Sequence, residues 1–167
     1  MNDQAAWEQA VATAERNYAS LPQDVRTQLD ALIDAIMRLK QNLVELVMSA
    51  GSEDICRTCG GECCRHGKYH VSVLDIWVYL KTGARQVHPD FSANPACPYS
   101  DVSGCTMPPG YRPMTCVVFN CQLVEDQLTS AGRETLRGYE QELRNTITRA
   151  GRLTGMRLDR ALLLSCS

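Results

Sequence analysis

The residues of this chain with chemistry to offer are its thiols. Eight fall in one stretch, at Cys56, Cys59, Cys63, Cys64, Cys97, Cys105, Cys116 and Cys121, which opens CRTCGGECC and closes CTMPPGYRPMTCVVFNC. Cys166 stands apart, one residue from the end of the sequence. Cys56 and Cys59 form a C-x2-C pair, a spacing at which a turn aims two sulfurs at one ion. Cys63 and Cys64 are adjacent, and in extended backbone neighbouring side chains point to opposite sides. That pair is therefore expected to serve two sites, or one site and a second role. With the four downstream cysteines the total suffices for two closed tetrathiolate sites, or for one site with a redox or second-metal role left over. Such sites favour zinc or iron–sulfur. A zinc ion with four thiolates carries a net charge of about −2, so two would take the formal charge of −2 to about −6. Arg57, Arg65, Lys68 and Arg112 are placed to offset this, or are ordinary solvated loop charges.

Other side chains compete for a role. His66 and His70 follow the Cys63–Cys64 pair, but with eight thiols at hand they are expected to be bystanders. His88 precedes Pro89 and reads as a loop residue. Asp75 is either an outer partner of the metal or the acid of a helix capping box. Arg112 could aim its guanidinium at metal-bound sulfurs. Cys63 or Cys64 as a nucleophile would need a thiol pKa depressed by Arg65, His66 or Lys68. No triad order, phosphate loop or paired-carboxylate motif accompanies them, so catalysis is not the expected role.

The order CRTCGGECCR, then VSVLDIW, then CPYSDVSGC, then YRPMTC resembles the YkgJ-type family of zinc- or iron-chelating cysteine clusters (CxxCxxCC). The matching positions are Cys56, Cys59, Cys63, Cys64, Asp75, Cys97, Cys105, Arg112, Pro113 and Cys116, covering residues 56–121 and not the flanking helices. Three residues rather than two separate Cys59 from Cys63, Tyr111 directly precedes Arg112, and Val117 stands where the family usually has arginine. The resemblance implies metal chelation and no particular activity.

Composition bounds the rest. A chain of 167 residues, 44% hydrophobic and 22% charged, is ordinary for one globular domain. The small negative charge gives no basic field for nucleic acid or anionic membrane. The opening MNDQAAWEQAVATAERNY lacks the basic segment and apolar core of a secretory signal, and VSVLDIWVYL is too short to span a bilayer. A cytoplasmic protein is expected, and in a reducing compartment clustered thiols read as metal ligands rather than disulfides.

The elements that must position the thiols are helical. Trp7, Val11, Ala14 and Tyr18 share one face of a helix over residues 5–19. Ser20 and Gln23 fit a capping box for a second helix starting near Pro22. On it Val25, Leu29, Leu32, Ile36, Leu39, Leu43 and Leu46 alternate spacings of four and three, a heptad seam. Ile33, Val44 and Val47 widen that seam, and Gly51 ends it. The helix over 22–49 is expected to pack within the chain as a hairpin or bundle, or to pair two chains as a homodimer. Ser72, Asp75 and Gly83 frame a short helix over 72–81, with a strand as the alternative. Residues 84–121 carry six prolines and read as irregular. Helical spacing returns with Leu136, Tyr139, Leu143, Ile147, Ala150 and Leu153, after a start near Ser130. The segment 156–167, with Leu158 and Leu162 to Leu164, is expected to close the core. The fold class is mainly α, one domain over 1–167. Its helical parts, 1–50 and 122–167, form a bundle or hairpin around the irregular, metal-stapled region 51–121.

Overall fold

The apolar stripe of residues 22–49 is the axis on which the other elements are laid. In the computed structural model, which describes residues 2–59, 61–93 and 97–165, it lies on α2, Gln23–Ser49, about 40 Å long at the helical rise. Leu29, Ile33, Ile36 and Leu43 are wholly buried there, each contributing roughly 1.5–3 kcal/mol by leaving water. Val25, Leu32 and Leu46 are half-buried, and Val44 and Val47 on the widened side are buried. The main partner is the last long helix, Ser130–Thr154, whose Leu136, Leu143, Ile147 and Ala150 face inward. The seam is thus occupied within one chain.

The helix ends show where local signals won and lost. α1, Asp3–Ala19, is capped by Asn2, whose side chain accepts the Ala5 N–H at 2.8 Å. The Ser20–Gln23 capping box does not form: Pro22 occupies the N-cap of α2 without a side-chain bond. The Ser20 hydroxyl donates instead to the Asn17 carbonyl at 2.9 Å, and Arg26 covers the Tyr18 and Ala19 carbonyls. The unpaired carbonyls at the end of α1 take the hydroxyl before α2 can use it. α2 stops at Gly51, which holds a left-handed φ of 82°.

A helix, not a strand, follows at Val73–Thr82. Ser72 and Asp75 form the expected capping box, and Gly83 closes it in left-handed conformation. Every residue from Val73 to Tyr79 is buried, and the Trp77 indole N–H donates to the Ala14 carbonyl at 2.9 Å, locking this helix to α1. An ion pair from Lys81 to Asp34 ties it to α2. The tail closes the far side. The Leu74 N–H donates to the Leu158 carbonyl at 3.2 Å and the Leu162 N–H to the Val71 carbonyl at 2.7 Å, and Leu158 and Leu162 are buried.

Among the described residues the α-helices in chain order are α1, α2, α3 (Ser52–Cys59), α4 (Val73–Thr82), α5 (Met114–Val118), α6 (Gln122–Glu125) and α7 (Ser130–Thr154), with one antiparallel hairpin, β1 (Ser100–Asp101) and β2 (Gly104–Cys105). The fold is mainly α. One apolar cluster runs from Trp7 to Leu162 and takes in Tyr99, Met107, Val117 and Val124 of the cysteine-rich region. Among the described residues no helix is long and apolar enough to cross a membrane. Cys166 lies outside the described residues.

Candidate metal centre

Cys56 and Cys59 sit in the last turn of α3, so the C-x2-C pair is presented by a helix rather than by a tight turn. Glu53 and Asp54 in the first turn suit the helix dipole. Both pair with Arg57, at 3.0 and 3.2 Å, and as exposed pairs add only a few tenths of a kcal/mol each. The Cys59 thiol donates to the Cys56 carbonyl at 3.4 Å. Cys63 and Cys64 end a 3-10 turn, Glu62–Cys64, which Gly61 enters at φ 73°. Their backbone is helical, not extended, so the opposite-sides expectation does not hold. The two side chains are close neighbours, and Cys63 raises the pKa of Cys64.

Four separate devices place the downstream thiols. Cys97 lies on Gly67, where an added Cβ would overlap its Sγ and come within 3.1 Å of its Cβ. Glycine at 67 is what lets the two segments touch. Cys97 also fixes the hairpin, its carbonyl accepting the Ser100 N–H at 3.1 Å and hydroxyl at 2.7 Å. The register Ser100–Cys105 then places Cys105 beside that turn. Pro113 starts α5 and so sets Cys116 in its first turn, with His70 Nδ1 3.3 Å from the Cys116 Sγ. Cys121 is the N-cap of α6, and α6 packs on α3.

The thiols feel one another. Cys64 is pushed up to about 12, by burial first and then by Cys63, Cys97 and Cys105. Cys116 is raised by burial, then by Cys105, Cys97, Asp75 and Cys64. Cys56 is raised by burial, then by Cys63, Cys59 and Cys121, with Arg112 opposing. Cys97 is raised by burial and by Cys105. Metal-free, these four thiols are protonated at neutral pH, which disfavours the thiolate a nucleophile needs. All eight are free of disulfides. Among the described residues, no three His, Cys, Asp or Glu side chains converge closely enough to hold a metal ion as they stand.

The supporting residues divide differently from expectation. Asp75 caps α4 and also pairs with Lys40 at 2.7 Å, both out of contact with solvent. The buried lysine went unread in the sequence. Its signal was position: Lys40 lies four residues from both Ile36 and Val44 on the apolar face of α2. His70 reaches the thiols, its Nδ1 lying 3.3 Å from the Cys116 Sγ, and burial, and then His66, lowers its pKa. His88 stacks edge-on against Trp7 at 5.3 Å between centroids. Arg112 donates from Nε to the Met107 carbonyl at 3.1 Å, within electrostatic reach of Cys56. No family model matches the chain, and no curated protein or solved structure shows significant similarity to it.

Proposed function

We propose that the protein binds metal, with zinc held by Cys56, Cys59, Cys63, Cys64, Cys97, Cys105, Cys116 and Cys121. The observation that supports the reading is that eight cysteines free of disulfides lie in one stretch of chain, with Cys97 of its second half seated against Gly67 beside the first. An all-sulfur donor set suits zinc. Among the described residues of the stretch 56–68 only Gly67 is buried, so burial does not offset the roughly 1–2 kcal/mol of backbone entropy each ordered residue costs. A bound ion would. The resemblance to the YkgJ-type cysteine clusters points the same way. Reduced thiols fit a cytoplasmic setting. The α2 seam, being filled by α7, favours packing within the chain over a homodimer.

The second reading, an iron–sulfur redox protein or enzyme component, uses the same thiols, since cysteine thiolates also hold such clusters. The zinc reading is tested by adding a strong chelator to purified protein and following near-UV circular dichroism and thermal unfolding. Loss of the Tyr99 and Tyr111 environment and a lowered Tm, both restored by Zn²⁺ alone, are expected. An unchanged spectrum and Tm would contradict it.

A further inference from the structure

The formal charge of −2 hides an uneven distribution. Residues 149–160 carry four arginines, Arg149, Arg152, Arg157 and Arg160, against one carboxylate, Asp159, a net +3. The rest of the chain, with 13 Lys and Arg against 18 Asp and Glu, stands at −5. The fold gathers the four arginines at one end of the bundle. Arg149 and Arg152 lie three residues apart on α7, so they share a side. Gly155 ends that helix at φ 68°, and the Met156 N–H donates back to the Gly151 carbonyl at 3.1 Å. A Cβ at Gly151 would lie 3.0 Å from the Met156 carbonyl oxygen, so glycine there lets the chain fold over the helix end. Beyond it Leu158 is buried, its carbonyl accepts the Leu74 N–H, and Ala161 bridges to Ser72. Arg157 and Arg160 are thereby displayed from a turn pinned on both sides. All four arginines are exposed, and among the described residues none has an ion pair or a side-chain hydrogen bond. The helix dipole accounts for Arg152 in the last turn of α7, but not for the two arginines beyond the cap.

We infer that this arginine end docks on the phosphate backbone of double-stranded DNA. The cations are all of one kind: the chain has no lysine after Lys81, yet seven arginines after residue 130. A guanidinium meets two phosphate oxygens with its planar fork, where an ammonium offers only a point charge. No Phe, Tyr or Trp occurs in residues 149–167, so this end has no ring to stack on unpaired bases, which favours a duplex over a single strand. Among the described residues the one large apolar side chain exposed at this end is Leu164, too little to anchor in a lipid surface. Contacts to phosphates carry no base information, so the binding is independent of sequence. The negative charge on the rest of the chain turns the molecule so that the arginines approach first. None of the thiols takes part, so docking is expected with or without bound metal.

The test is fluorescence anisotropy of the full chain with short labelled DNA duplexes of two unrelated sequences. With about four phosphates neutralised, log affinity should fall against log salt at a slope of about −3.6, alike for both sequences. That is a loss of about 150-fold between about 50 and 200 mM KCl. Arg157→Gln combined with Arg160→Gln should halve the slope to about −1.8, a loss of about 12-fold over the same range. Its far-UV dichroism should be unchanged, since neither side chain has a partner to lose. Arg38→Gln, at an exposed arginine of α2, should leave the slope as it was. No binding at low salt, or an equal loss in Arg38→Gln, overturns the proposal. So does binding of phosphatidylserine vesicles or of poly-glutamate in place of DNA, which would assign this end to a lipid surface or an acidic protein.

Discussion

Lys40 Nζ lies 2.7 Å from Asp75 Oδ1, and both side chains are sealed from solvent. The other carboxylate oxygen of Asp75 accepts the Ser72 N–H at 2.9 Å and hydroxyl at 2.7 Å. One carboxylate therefore caps α4 and fastens it to the middle of α2. It also acts on Cys116, so this pair sits where the helical core meets the thiols. Taking two charges out of water is costly, and the pair is held by its geometry and added hydrogen bonds.

Removing one charge should hurt more than removing both. Lys40→Met leaves the Asp75 carboxylate buried and alone, and is expected to lower the unfolding free energy by about 3–5 kcal/mol. Adding Asp75→Asn to that variant keeps an acceptor for Ser72 and should recover part of the loss. Urea unfolding of the two variants decides it; a double variant no more stable than Lys40→Met would contradict the account.

Gly67 should tolerate no side chain. In Gly67→Ala the new methyl must displace the Cys97 thiol, at about 1–3 kcal/mol of overpacking. Under the proposed zinc ligation by Cys97, zinc affinity should weaken, while the α2–α7 packing keeps its helical circular dichroism. Competition with a chromophoric chelator reads the first effect and far-UV dichroism the second.

Metal affinity should rise with pH. Burial and neighbouring thiols raise the metal-free pKa values of Cys56, Cys64, Cys97 and Cys116, Cys64 to about 12. Each must lose its proton to bind, so an ion entering a four-thiol site expels up to about four protons. The apparent affinity then falls as pH falls across the neutral range. Chelator competition at several pH values, with proton release followed in weak buffer, measures the slope; a flat profile would exclude thiolate ligation.

Alkaline unfolding should carry a tyrosine signature. Burial, then Asp75, pushes the Tyr79 phenol up to about 12, against about 10 in the unfolded chain. Between those values the unfolded chain has lost a proton that the folded chain keeps, so its stabilisation is complete below pH 10 and lost as pH rises toward 12. The loss amounts to up to about 2 kcal/mol. Tyr79→Phe should flatten that part of the stability profile, measured by denaturant unfolding with phenolate absorbance as the companion signal.

The long elements were legible because their signals are local. The α2 seam, the Ser72–Asp75 box and the closure at Gly83 each rest on residues within a few positions of one another, and all three form. What was illegible depends on distant partners. The spacing of α2 puts Lys40 on the apolar face, but its partner Asp75 waits 35 residues away, and no periodicity rule names that partner. His70 meets Cys116 across 46 residues. α3 escaped notice because a short polar helix has no apolar stripe; its acidic first turn was the available clue. Ser20 misled because two helix ends competed for one hydroxyl.

The central claim is that these thiols hold metal, and metal and sulfide analysis of freshly, anaerobically purified protein tests it most directly. Colourless protein with about one to two zinc ions per chain, as four thiolates close each tetrahedral site, and no inorganic sulfide is the expected result. Brown protein with iron and sulfide would replace zinc with the iron–sulfur reading. Protein with no stoichiometric zinc or iron would contradict the claim outright.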